Sequence, residues 1–213
     1  MRAALGLVPW QSSLHVVPMS GSDYISRLTA ALHSIPMESI DRFVDEIVRV
    51  RQADGCVFII GNGGSASTAS HMATDLGVGS QRFGAGVRAV SLADNSAALT
   101  ATGNDLSFEH VFAAQVELLG RAGDLLIVIS ASGNSPNLLA AVQSAKNQSM
   151  VVVGMTGFTG GRLVEVADIS ILVDTNTGDY GPAEDAHLAI NHLVTERLRA
   201  TYASSTDVRD LHG

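Results

Sequence analysis

From residue 23 onward, apolar side chains recur every three or four positions through DYISRLTAALHSIPMESIDRFVDEIVRVRQADG, a spacing that predicts two amphipathic helices broken near Pro36. The pattern then changes. Short runs rich in Val and Ile follow: CVFIIG at 56–61, VRAVSL at 87–92, DLLIVIS at 124–130, MVVVGMT at 150–156 and DISILVD at 168–174. Both faces of these runs are apolar, and stretches of helical pattern long enough for crossovers separate them. They predict five parallel strands covered by helices on both sides. A closing helical pattern from about Ala183 to Tyr202 carries Leu188, Ile190, Leu193, Val194 and Leu198 and should bury much of its surface. The fold class is therefore α/β: a doubly wound, five-stranded parallel sheet in an α/β/α sandwich. No repeat, low-complexity tract or linker divides the chain. Residues 1–20 read as an N-terminal extension, 21–205 as one domain and 206–213 as a C-terminal tail.

Composition narrows the setting. With 213 residues, 46% hydrophobic and 16% charged, the chain can bury a substantial core. Its longest apolar runs fall far short of the roughly 20 residues that cross a bilayer, so no transmembrane helix is expected. The opening MRAALGLVPWQSSLHVVPMSGS has one arginine, a broken apolar run and no clear small-residue cleavage site, and is not read as a signal peptide. The single cysteine, Cys56, cannot form an internal disulfide and reads as a small core residue, which suits a cytoplasmic protein. A net charge of -8 without a Lys/Arg cluster argues against nucleic-acid binding. A small anion remains accessible, because backbone N–H groups and hydroxyls at a helix N-terminus create a positive potential whatever the total charge.

Two strand ends carry loops suited to such an anion, and in open α/β sheets ligands collect outside the carboxyl ends of the strands. In IIGNGGSAS, Gly61, Gly63 and Gly64 permit close backbone approach, and Ser65 can cap the following helix or donate its hydroxyl to an oxyanion. In VISASGNSPN, Ser130, Ser132 and Ser135 supply three hydroxyls around Ala131, suited to the oxygens of a phosphate monoester. Neither the dinucleotide pattern GxGxxG with its distal acidic residue nor a GK[ST] is present, so nucleotide cofactors are disfavoured. Behind the first loop, His71 and Asp75 stand four positions apart, about 40° apart in helical projection, so both side chains can reach one point. An imidazole and a carboxylate converging there suit a divalent ion or an acid/base pair.

GNGGSA, the His71 to Asp75 spacing, GND at 103–105, SASGNSPN, MTGFTGG and EDAHLAINH occur in an order that resembles the SIS (sugar isomerase) domain family, from about Tyr24 to Arg199. Within that family they resemble the phosphoheptose isomerases, which convert sedoheptulose 7-phosphate. The resemblance implies one zinc ion per subunit, held by His71, Asp75, Glu184 and His192, and no organic cofactor. Asp75 stands where the family has glutamate, withdrawing the carboxylate by roughly 1.5 Å, and Glu184 stands where it has glutamine. Helical projection leaves a rival, since Glu184 and His187 lie three apart whereas Glu184 and His192 diverge by about 80°. His187 is expected behind the site or at an interface, and His110 on a helix surface.

The implied activity is aldose–ketose isomerisation through an enediol, with Asp75 taking the proton at C1 and His192 as the paired acid/base. Ser65, Ser130, Ser132 and Ser135 would anchor the phosphate, with Asn62, Gly63, Gly64, Ala131 and Glu184 lining the substrate site. Asn62, Asn104 and Asp105 would bind sugar hydroxyls. The resemblance further implies a homotetramer whose active sites draw on neighbouring subunits. A non-catalytic SIS protein that binds a replication initiator is the competing reading, and a sugar-phosphate sensor a third. The retained Asp75 and His192 favour the enzyme, and no DNA-binding segment accompanies the domain.

Overall fold

A computed structural model describes residues 20–203. Ser20 opens the first helix, α1 (Gly21–His33), through a reciprocal cap: its hydroxyl accepts from the Asp23 N–H, and the Asp23 carboxylate accepts from its own N–H. Pro36 then starts α2 (Met37–Gln52), which buries Ile40, Phe43, Val44, Ile47 and Val50 along one stripe. The alternation that follows is β1 (Cys56–Gly61), α3 (Gly64–Leu76), α4 (Val78–Gln81), β2 (Arg88–Ser91), α5 (Ser96–Asp105), a short 3-10 turn at Phe108–His110 and α6 (Ala113–Leu119). It continues with β3 (Leu125–Ser130), α7 (Pro136–Asn147), β4 (Val151–Thr156), α8 (Gly161–Val166), β5 (Ile169–Leu172) and the long α9 (Tyr180–Ala203). His110 lies exposed at the end of the 3-10 turn.

All four strand pairings are parallel, in the order β2-β1-β3-β4-β5. Alternate residues feed two cores. Val57, Ile59, Leu125, Ile127, Ile129, Val153 and Met155 pack under the layer containing α2, α3 and α9. Phe58, Ile60, Leu126, Val128 and Val152 pack under the layer containing α6 and α7. This two-sided burial is why the strands read as continuous apolar runs.

Two features depart from expectation. Strand β2, at the edge of the sheet, leaves Arg88 exposed and Val90 at 45% exposure, so only part of it is covered. The aspartates that begin two of the runs also lie outside their strands. Asp124 accepts from the N–H groups of Cys56 and Arg121, at 2.8 and 2.9 Å, and Asp168 accepts from Val152 N–H at 2.8 Å. Each carboxylate ties the start of one strand to its neighbour, a task a strand interior position cannot perform. Cys56 is half-buried beside Asp124, and burial followed by that carboxylate raises its thiol pKa, in keeping with an unreactive packing role.

Helix α9 packs on α1, α2 and α3 and carries one unusual core residue. The His187 ring is fully buried, and neither ring nitrogen has a hydrogen-bond partner. Burial lowers its pKa to about 4; the nearby Thr156 backbone offsets only part of this and forms no bond of good geometry. The unfolded chain therefore takes up a proton that the folded chain refuses between about pH 6.5 and pH 4. Stability falls as pH falls through that window, by on the order of 3 kcal/mol from this group. Urea unfolding of the protein and of His187→Leu across this range should show a shallower acid-side loss in the variant. An unchanged slope would exclude the buried ring as its source.

Candidate active site

The strand order makes the connection reverse direction between β1 and β3, which places the ligand crevice outside their carboxyl ends. Both glycine/serine loops lie there, because Gly61 pairs with Ile129 at the ends of these adjacent strands. Between the loops is a cleft of about 80 Å³ lined by Asn62, Ser65, Ser130, Ala131, Ser132, Leu138, Tyr180 and Glu184.

The hydroxyls in this cleft are oriented by the backbone. Ser130 Oγ accepts from Gly133 N–H at 3.1 Å and Ser132 Oγ accepts from Asn134 N–H at 3.4 Å, leaving each hydroxyl proton free to donate. Ser65 is buried at the first turn of α3, and its hydroxyl makes no hydrogen bond to any described residue. Ser135 begins α7 without a side-chain cap and does not line the cleft. The second loop is held from behind. Gly133 has φ of +64°, and a Cβ there would collide with the Gly160 carbonyl. Its own carbonyl accepts from Leu163 N–H at 2.9 Å, and Asn134 Oδ1 accepts from Arg162 N–H at 2.9 Å.

The second half of the site lies along the seam between α3 and α9. His71 Nε2 is 3.3 Å from Asp75 Oδ2, His192 Nε2 is 3.9 Å from the same oxygen, and the two imidazole nitrogens are 3.4 Å apart. The rings meet edge to face, their centroids 5.1 Å apart. Tetrahedral coordination with bonds of about 2.0–2.1 Å separates donor atoms by roughly 3.3 Å, and these three atoms come close to that spacing. Two imidazoles and one carboxylate form a donor set suited to a catalytic zinc with an open position, so the residues fit such an ion.

Glu184 does not join this group. It lies two turns earlier on α9, about 12 Å from His192 along the axis, with its carboxylate packed on Gly64 in the space a Cβ would fill. It therefore lines the serine cleft. Asn104 and Asp105 also stand apart. They sit exposed at the end of α5, bonded to each other at 2.8 Å, and line no part of this cleft.

Two residues beyond those singled out from the sequence hold the acidic group. Asn191, fully buried, donates from Nδ2 to Asp75 Oδ2 at 2.9 Å, so Oδ2 faces Asn191 and both imidazoles while Oδ1 is bonded to none of them. Ser80 donates to the Asp75 carbonyl at 2.6 Å and accepts from Arg199 Nε at 3.2 Å, tying the end of α3 to α9. The available signal was polar: Asn191 and Thr195, with His187 a turn earlier, interrupt a mostly apolar buried stripe beside His192.

Residues 22–157 match the SIS domain family. The chain is 40% identical over 144 residues to the phosphoheptose isomerase of Rhodospirillum rubrum, a span of 67% of this chain and 75% of that protein. It is 32% identical over 189 residues to the probable phosphoheptose isomerase of Thermoplasma volcanium, covering 89% and 95% of the two chains. The structure of phosphoheptose isomerase from Neisseria gonorrhoeae is similar with a TM-score of 0.75 and 33% identity, over 84% of this chain and 94% of that one. Since likeness in sequence and in backbone runs along most of the length of both partners, the chain belongs to the SIS domain family and, within it, to the phosphoheptose isomerases.

Proposed function

We propose that the protein interconverts sedoheptulose 7-phosphate and an aldoheptose 7-phosphate through an enediol. The observation that carries this reading is the placement of two chemically distinct sites along one pair of helices. Ser65 and Glu184 mark the serine cleft; His71 and His192 lie about 9 and 12 Å further along α3 and α9. Six carbon–carbon bonds of about 1.5 Å span roughly 7–8 Å when extended, so a seven-carbon sugar with its phosphate in the cleft brings C1 and C2 to the His/Asp group.

In this scheme the serine hydroxyls hold the phosphate, and the Asp75 carboxylate, through Oδ1, takes the proton from C1 and returns it to C2. His192, more than half exposed, moves the second proton between the C2 and C1 oxygens through Nδ1, its Nε2 being the nitrogen turned to His71 and Asp75, so that the enediol forms and collapses with protons balanced. Asn191 keeps Oδ2 turned away from the substrate. Zinc held by His71, Asp75 and His192 would supply Lewis-acid polarisation of the reacting oxygens. Glu184 is assigned to the substrate cleft, where its carboxylate already sits.

The remaining sugar-binding residues are proposed to come from a partner subunit of a homotetramer. Asn104 and Asp105 adjoin the exposed apolar side chains Leu106 and Phe108, at 67% and 65% exposure, a surface suited to burial against another copy. A cytoplasmic location is proposed from the single cysteine of the chain. No helix among the described residues is long and apolar enough to cross a membrane.

Asp75→Asn and His192→Ala should each lower kcat for sedoheptulose 7-phosphate by about 10²–10⁴ with the fold intact. His71→Ala should lower the zinc content of the purified protein below one per chain. Wild-type rates in either of the first two variants would remove that residue from the chemistry, and a folded, metal-free, inactive parent would favour the non-catalytic reading. Asn191→Leu should cost about tenfold in kcat through loss of one hydrogen bond to a carboxylate, and unaltered kcat would show that Asp75 needs no such support. Phe108→Asp should shift the mass measured by light scattering from tetramer to smaller species and lower activity in parallel. A tetramer that survives the substitution would place the interface elsewhere.

A further inference from the structure

Two walls of the serine cleft, the loop after β1 and the loop running into α7, are joined by one reciprocal amide pair. Asn62 Nδ2 donates to Asn137 Oδ1 at 3.0 Å, and Asn137 Nδ2 donates to Asn62 Oδ1 at 2.9 Å, across 75 residues of sequence. Asn62 lines the cleft; Asn137, the second residue of α7, is 2% exposed and sits beside Leu138, another lining residue. A buried amide such as that of Asn137 is costly to leave unpaired, and it finds donor and acceptor together in the partly buried Asn62. The pairing fixes the orientation of the Asn62 amide and leaves it one N–H to offer the cleft. The far side of the second loop is already held by the Gly133 and Asn134 bonds to the first turn of α8. Among the described residues, the amide pair is therefore a direct side-chain tie between the first loop and the start of α7.

We propose that Asn137 is a positioning residue: acting through Asn62, it sets the width of the serine cleft and so the cleft's grip on a phosphate group. This rests on the sugar-phosphate reading above. The reacting end of the substrate lies two helical turns away, on side chains anchored by α3 and α9, so loosening the clamp weakens binding of ground state and transition state alike.

The test is a cycle of Asn62→Leu, Asn137→Leu and the double variant. Each is measured for binding of inorganic phosphate by calorimetry, for KM and kcat with sedoheptulose 7-phosphate, and for thermal midpoint. Asn137→Leu should raise both the phosphate Kd and KM about tenfold, with kcat within about twofold of the parent. The double variant should be no weaker in phosphate binding than the weaker single variant, since the two amides act as one unit. If leucine unfolds the protein, Asn137→Ser keeps an uncharged polar side chain while shortening it out of the pair, and should move Kd and KM in the same direction. A folded Asn137 variant with unchanged phosphate Kd, effects of the single variants that multiply in the double, or a fall in kcat at constant KM would each overturn the proposal. A parent protein that binds inorganic phosphate without turning over the heptose phosphate would sink the isomerase reading while the phosphate arm still decides the clamp. A parent that binds no phosphate would overturn the clamp itself.

Discussion

The packing of α3 against α9 is the contact on which the rest of the site depends. Ala69, Met72 and Leu76 on α3 and Ala186, Ile190 and Val194 on α9 are all fully buried in one cluster over the same face of the sheet. That seam puts the helices side by side in the same direction, with Gly64 beside Glu184 at one end and His71 and Asp75 beside His192 at the other. Apolar burial thus does the aiming for polar groups that could not arrange themselves. Two imidazoles and a carboxylate within 4 Å of one another, partly exposed, contribute little attraction of their own. Their convergence comes from rigid backbone, with Asn191 and the Ser80–Arg199 link refining the aim of one carboxylate.

Much of the architecture was legible because strands buried on two faces leave an unmistakable record, and all five runs from Cys56 to Leu172 are strands of one parallel sheet. The errors cluster where one residue serves a neighbouring element. Asp124 and Asp168 look like strand starts but act as pins between strands, and the edge position of β2 is a property of strand order that no local pattern encodes. The site divides in the same way. His71 and Asp75 are one turn apart on a single helix, so their meeting follows from sequence spacing. Whether Glu184 or His187 faces them depends on how α9 rolls on the sheet. In the event Glu184 points to the cleft and His187 into the core. Asn137 and Asn191 were harder still, since their value lies in partners 75 and 116 residues away.

The arrangement also shows how a catalytic site and a binding site can share supports without sharing side chains. The cleft is built on loops whose glycines allow backbones to touch, as at Gly133 against Gly160. The His/Asp group is built on helix interiors, where rotamers and registry are stiff. A polar ligand with charge at one end and reactive carbons at the other suits such a division, because remote binding can orient the reacting end.

The cleft is furnished with neutral donors in a chain of net charge -8, and its sole lysine, Lys146, is paired with Asp168 below the sheet rather than near the loops. Glu184 adds an acidic group to the cleft wall itself. An approaching phosphate dianion is consequently repelled at long range and held only at contact. Added electrolyte, which in cation-lined pockets competes with such a ligand, would here damp the repulsion beyond a Debye length of roughly 10 Å and speed the encounter.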